Sequence, residues 1–296
     1  MSTPWPQTEP SAARTGAALV HPGLLADGLR AAAIGAGVRI FELTPVRALS
    51  DAGAAGSIEV RTQVGLVSAR RVLLATGAYP PLLRAIRRYI APVYDYALMT
   101  EPLTGAEWSS LAWDAREGIS DMGNRFHYYR PTADGRILFG GYDAIYRRGG
   151  DVGHHRDEHD LTFARLSQHF FHTFPTLEGV RFSHRWGGAI DTCSRFSVFF
   201  GTARGGRVAY ALGYTGLGVG ATRFGARVAL DLLDGRGTEA TALQLVRRRP
   251  LPFPPEPLRS AVIGLTRNRM AAADRRDGRR GLWLRALDAV GLGFDS

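Results

Sequence analysis

Residues 207–235, RVAYALGYTGLGVGATRFGARVALDLLDG, constrain the fold of this chain more than any other stretch. A short apolar run, Val208 to Leu212, enters a turn carrying Gly213, Gly216, Gly218 and Gly220. A long amphipathic run then leaves it and stops at Gly235. Strand, glycine turn and helix in that order aim bare N–H groups and a positive helix end at a bound anionic group. Ala221, Gly225 and Ala229, spaced four apart, form a small stripe that permits close backbone approach to a strand or cofactor.

The matching opening motif of a nucleotide fold is not found. A dinucleotide fingerprint needs strand, G-x-G-x-x-G, helix and then an acid at the end of the next strand. Gly35-Ala-Gly37 follows a helix and precedes a strand, the reverse order. Gly216-Leu-Gly218 has the right flanks, but Asp231 and Asp234 lie within or just past the helix itself. The expectation is a closing motif without an opening one.

At 296 residues the chain can form one large domain or two intertwined ones. No apolar run approaches the roughly 20 residues that span a bilayer, and the start lacks a signal-peptide pattern. A single cysteine, Cys193, excludes an internal disulfide and fits a reducing cytoplasm. The net charge of +10 invites a nucleic-acid partner, yet all 37 basic residues are arginine. That composition suits codon bias in a GC-rich genome, and no nucleic-acid partner is expected. The richest cluster is Arg247, Arg248 and Arg249, then Arg275, Arg276, Arg279 and Arg280, which could touch a partner or an anionic surface.

The pattern predicts a helix opening at His21-Pro22 with Leu24, Leu25, Leu29, Ala32 and Ala33 on one face, then a strand over Val38 to Glu42. A hairpin follows over Ile58 to Arg61 and Leu66 to Ser68. Arg71 to Gly77 reads as a buried central strand. From Ile90 the texture turns to aromatic alternation. Strands are expected over Ile90 to Thr100, Phe126 to Arg130, Arg136 to Gly140 and Val180 to Trp186, with a helix over His159 to Phe174. Phe196 to Gly201 and Arg207 to Leu212 pair across Arg204-Gly205-Gly206. A proline-rich linker, Pro250 to Pro257, leads to a basic helical end.

Four motifs stand in order: A-L-V-H-P-G (Ala18 to Gly23), L-L-A-T-G-A-Y (Leu73 to Tyr79), W-G-G (Trp186 to Gly188) and G-Y-T-G-L-G-V (Gly213 to Val219). Together they resemble the D-amino-acid-oxidase-like FAD-dependent oxidoreductases, and most of all the branch of gamma-glutamylputrescine oxidase and glycine-oxidase-like enzymes. The ending, with P-F-P-P-E-P and a final G-F-D-S, is similar too. The resemblance implies an α/β fold: an FAD-binding Rossmann-like domain with an inserted antiparallel substrate sheet. Its G-x-G-x-x-G unit would precede Met1, leaving the domain incomplete and FAD binding weak. The implied division is a disordered start over 1–14, an FAD-binding part over 15–89, a substrate domain over 90–185, a closing FAD-binding part over 186–236, and the linker with its basic helix over 237–296.

The resemblance also implies non-covalent FAD and a hydride taken from the carbon bearing a small amine or amino acid. Gly213, Tyr214, Thr215, Gly216, Leu217, Gly218 and Val219 would lie by the flavin ring, with Trp186, Gly187 and Gly188 near it. Val46 and Ala75, Thr76 and Gly77 would lie beside the adenosine half. The aromatic segment would supply the substrate pocket, with Tyr94, Tyr96, His127 and Tyr128 as a cage and Arg125 or Arg130 for a carboxylate. Cys193 lies off the position of covalent flavin attachment.

His154, His155 and His159 sit in a polar loop without a cysteine partner and read as solvated, so no metal is expected. No G-x-S-x-G elbow supports a serine hydrolase. Three functions stay open: an amine oxidoreductase completed by an upstream polypeptide, a non-catalytic or partner-binding remnant of one, and an arginine-rich binder of nucleic acid or membrane surface.

Overall fold

The computed structural model describes residues 18–51, 56–276, 278–289 and 292. The start expected to be disordered, 1–14, lies outside them. The chain divides into two compact units, one ending at Glu42 and one beginning at Leu43. In the first, α1 (Pro22–Gly35) begins where the sequence places it. His21 Nδ1 accepts the Leu24 N–H at 3.2 Å, and Pro22 fills a first-turn position that has no N–H to lose. Val38 to Glu42 does not form the expected strand. A strand needs a ladder partner, and this segment enters no sheet among the described residues.

The second unit starts with β1 (Val46–Asp51), β2 (Ile58–Thr62), β3 (Leu66–Ala69) and β4 (Val72–Leu74). The long β5 (Ala91–Thr100), α2 (Gly105–Ser110), β6 (Ile119–Ser120), β7 (His127–Pro131), β8 (Ile137–Gly141) and β9 (Ile145–Tyr146) follow. Next come α3 (Asp160–Thr173), β10 (Phe182–Thr192), β11 (Phe199–Ala203), β12 (Val208–Leu212) and α4 (Gly218–Asp234). The end carries α5 (Glu239–Ala242), α6 (Gln244–Arg247), α7 (Leu258–Asp274) and α8 (Leu282–Ala289). None of the described helices is long and apolar enough to cross a membrane.

The described residues form three open sheets. β1, β2 and β3 form an antiparallel meander that includes the expected hairpin. β4 runs parallel to β12, with Val72 opposite Val208, and β12 pairs antiparallel with β11. β4 has no partner on its other edge among the described residues, so the strand read as central is an edge here. Gly235 closes α4 in the left-handed conformation, as its place in the sequence predicts.

The third sheet has the order β10-β5-β8-β7-β6, with β9 also on β5. Side chains alternate along β5. Tyr94, Tyr96 and Leu98 face α3 and pack with Phe139, Phe163, Leu166 and Phe170 in the largest aromatic core. Val93, Asp95, Ala97 and Met99 take the other face. Val198, Phe200, Ala211, Val228, Ala229 and Val246 make a separate core under α4.

The C-terminal segment is tied down rather than loose. The Phe253 N–H donates to Arg88 O at 2.7 Å. Asp274 at the end of α7 accepts the Asn124 N–H and Nδ2, both at 2.8 Å, and the Arg125 N–H at 3.1 Å. Glu256 accepts the Tyr146 hydroxyl at 2.8 Å, the Gly149 N–H at 3.0 Å and the Ser260 hydroxyl at 2.7 Å. Desolvation pushes the Glu256 carboxyl up, but these hydrogen bonds outweigh it and bring it from 4.5 down to about 2. A carboxyl lowered by folding adds stability above its unfolded value and loses it as the pH falls toward the folded one. Glu256→Gln is therefore expected to flatten the loss of stability as the pH falls from 4.5 toward about 2. Urea midpoints across that range test it, and an unchanged acid slope overturns it.

Candidate functional site

β12 delivers the chain into the glycine turn, where Gly213, Thr215 and Gly216 all take positive φ (80°, 52° and 88°). The turn does not point all its N–H groups at a ligand. Asp191, near the end of β10 and 8 % exposed, takes the Gly213 N–H at 2.7 Å. Burial raises the Asp191 carboxyl above its usual range, and the backbone N–H groups of Gly213, Tyr214 and Thr215 pull back against that rise. Half of the expected anion cradle is thus filled by the protein's own acid.

What stays free is the start of α4. No side chain caps it, and the first-turn N–H groups of Gly218, Val219 and Gly220 have no partner among the described residues. These donors and the helix dipole form a positive end. Tyr214 lies back against α4. A Cβ at residue 225 would fall 2.0 Å from its hydroxyl, so Gly225 is what admits the ring. The small stripe on α4 therefore serves Tyr214 and the sheet. Thr215 Oγ1 accepts the Cys193 N–H at 3.3 Å, and the fully buried Cys193 thiol donates to Ser197 O at 3.2 Å.

Between the end of β4, the end of β10 and the start of α4 lies a cleft of about 430 Å³. That is within the range of about 300–1,000 Å³ usual for small-molecule sites. Ala75, Gly77, Ile190, Asp191, Tyr214 and Val219 are among its walls, and no basic side chain lines it. Thr76, between two of these residues, keeps its buried hydroxyl without a hydrogen-bond partner.

The register of the large sheet continues the cleft along one face, since directly paired residues share a face. Ile190 pairs with Val93, Gly188 with Asp95, and Trp186 with Ala97, which also pairs with Gly140 opposite Tyr128. Arg130 stands two residues on, paired with Leu138, and its guanidinium has no partner among the described residues. Asp95 fills the break on β5 between β8 and β9. It accepts the Tyr96 N–H at 2.9 Å and the Tyr128 hydroxyl at 2.8 Å. Burial raises both the Asp95 carboxyl and the Tyr128 hydroxyl, so the phenol stays protonated and donates.

The structure brings Ala75, Gly77, Tyr214, Gly216, Gly218 and Val219 to one cleft, with Thr76, Gly213 and Thr215 in its framework. Leu217 precedes α4 and is exposed, and Trp186 is 36 % exposed. Gly187 and Gly188 lie inside β10, not in a turn after it. Val46 begins β1 opposite Thr62 and is not on the cleft wall.

The six expected substrate residues divide between the two faces. Tyr94 and Tyr96, each 1 % exposed, stand in the aromatic core, where their hydroxyls donate to Gly153 O and Arg156 O. His127 is buried with them, between Asp121 (2.6 Å) and His169 (2.8 Å). Arg125 is bound to Asp143 and stacks on Tyr142. Tyr128 and Arg130 alone take the face that continues from Ile190. His154, His155 and His159 bond to Asp157, Asp151 and Thr162 in turn. Asp191 escaped sequence reasoning. Its one signal is a lone acid closing the apolar run after Trp186-Gly187-Gly188.

A parallel strand pair led by a glycine turn into a helix, beside an open antiparallel sheet, defines a class: a Rossmann-like domain with an inserted sheet. The model of the FAD dependent oxidoreductase family, DAO, matches residues 7–232, and the chain belongs to that family. It is 31% identical over 223 residues to a probable oxidoreductase, OrdL, of Haemophilus influenzae, covering 73% of this chain and 47% of that protein. It is 31% identical to gamma-glutamylputrescine oxidoreductase of Escherichia coli, covering 79% of this chain and 52% of that one. The chain thus spans about half the length of the curated relatives it matches. Among solved structures, iminodiacetate oxidase from Chelativorans sp. BNC1 shares the fold at a TM-score of 0.61 and 18% identity, over 77% of this chain and 58% of that one. Glycine oxidase from Geobacillus kaustophilus gives 0.58 and 20%, over 76% and 57%.

Proposed function

We propose that this chain is the flavin-facing part of an FAD-dependent oxidoreductase that oxidises a C–N bond of a small amine or amino acid. The observation that carries it is the cleft at the uncapped start of α4, braced by Asp191. Its walls fit the ring end of FAD: an apolar slot, free N–H groups at Gly218 to Gly220, and an unpartnered Thr76 hydroxyl. They do not suit a pyrophosphate, because no lining side chain is basic and Asp191 is acidic. Such a protein has its cofactor-binding parts at 15–89 and 186–236, its substrate sheet at 90–185 and its closing segment at 237–296. The nucleotide half is then held by a polypeptide segment that adds a strand to the edge of β4 that has no partner among the described residues.

FAD supplies the hydride acceptor when bound. The α4 N-terminus would stabilise negative charge developing on a ring bound in the cleft. Ala189, Ile190 and Val219 line the slot with apolar surface. On the sheet face beyond Ile190, the free Arg130 guanidinium takes a substrate carboxylate, while Tyr128, held by Asp95, walls the amine.

Titrating the purified chain with FAD, FMN and riboflavin, and following the visible flavin band, tests this. A ring-end site binds the three within about threefold of one another, because ring contacts common to all three set the affinity. No spectral change with any of them overturns the ring-facing cleft. FAD binding a hundredfold tighter than riboflavin overturns the half-site.

A further inference from the structure

On the face of β12 turned away from α4, Tyr210 lies in the core at 2 % exposure. Its ring crosses Gly201, its ladder partner, where a Cβ would fall 2.2 Å from the tyrosine hydroxyl. Among the described residues its hydroxyl has no hydrogen-bond partner, and it is not sealed off but opens onto a cavity.

Tyr210 lines a second cavity, of about 240 Å³, which shares no wall residue with the cofactor cleft. Arg84, Arg204 and Arg249 line it too, and no acidic side chain does. The three arginines come from three places: the helical turn after Leu83, the β11–β12 turn, and the segment after α6. Arg204 spends its terminal nitrogens on Asp51 and Leu49 O, leaving its buried Nε unpartnered. Arg84 and Arg249 have no hydrogen-bond or ion-pair partner among the described residues. Burial pushes the Tyr210 phenol up and Arg249 pulls it back, so that guanidinium is within electrostatic reach of the ring.

We propose that this cavity binds a phosphate-type oxyanion, ion-paired by Arg84 and Arg249 and accepting a hydrogen bond from the Tyr210 hydroxyl. Donors arriving from three elements match a tetrahedral anion better than a planar carboxylate. Independent of the flavin proposal, the site uses the part of the arginine excess that reaches the 247–249 cluster.

Isothermal titration with inorganic phosphate, acetate and AMP at constant ionic strength tests it. Saturable phosphate binding is expected, weakened about tenfold or more in the Arg84→Ala, Arg249→Ala double variant, which loses two charge-assisted contacts. Tyr210→Phe removes a hydroxyl that bonds nothing in the fold, so it is expected to weaken binding about threefold or more with an unchanged melting temperature. Arg267→Ala with Arg269→Ala on α7 leaves binding as it was. AMP tighter than phosphate, through the same arginines, marks a phosphate-bearing ligand; equal binding marks the free anion. Any of four results overturns the proposal: no saturable phosphate binding, acetate as tight as phosphate, an unaffected Tyr210→Phe, or the α7 pair weakening binding as much as the cavity pair.

Discussion

Asp191→Ala is expected to cost about 3–5 kcal/mol of folding stability, because it strands the Gly213 N–H beside a buried site and removes the charge that the turn faces. The Gly213 N–H bonds to this carboxylate, and the backbone N–H groups of Tyr214 and Thr215 favour its charged form. Each buried donor left without a partner costs about 1–3 kcal/mol, and water entering the open cleft returns part of the sum. Asp191→Asn keeps an acceptor oxygen and is expected to lose only about 1–2 kcal/mol. Guanidinium unfolding midpoints at constant slope measure both. A loss under about 1 kcal/mol for the alanine variant would show that the turn holds itself.

Phe139→Ala is expected to cost as much, about 3–5 kcal/mol, by a different route. Phe139 is fully buried and meets His127 at 5.1 Å, Tyr129 at 5.6 Å, Phe170 at 5.6 Å and Phe174 at 6.4 Å between ring centroids. Rings from β7, β8 and α3 so interlocked cannot collapse into the gap, and the cavity persists. The damage is also local. Hydrogen exchange is expected to quicken through β7, β8 and α3 while β12 keeps its protection, since β12 packs in separate cores. Equal quickening in β12 would refute that separation.

The parts legible in the sequence are those whose cause is local. Gly235 stops α4 because the helix end needs a left-handed residue, and His21-Pro22 opens α1 through contacts within one turn. The hairpins at Gly65 and Asp134-Gly135 follow from turn chemistry in the same way. Period-2 alternation correctly groups Tyr94 with Tyr96 and Tyr128 with Arg130. It does not say which group faces the core, and α3 decides that by packing on the first pair. Val38 to Glu42 has the apolar character of a strand but no ladder partner among the described residues. Asp191 was illegible for a related reason: its purpose lies in a turn 22 residues further on.

The bonds from Asp274 to the Asn124–Arg125 loop set the timing of folding. They join groups 150 residues apart in the chain. As the polypeptide leaves the ribosome, the sheet and its aromatic core can assemble well before α7 exists. The loop between β6 and β7 must then wait, its N–H groups wetted by solvent, until α7 has been made. Closing so long a loop is entropically slow. The fastening of this loop is thus deferred until α7 has been made, long after the loop itself was laid down.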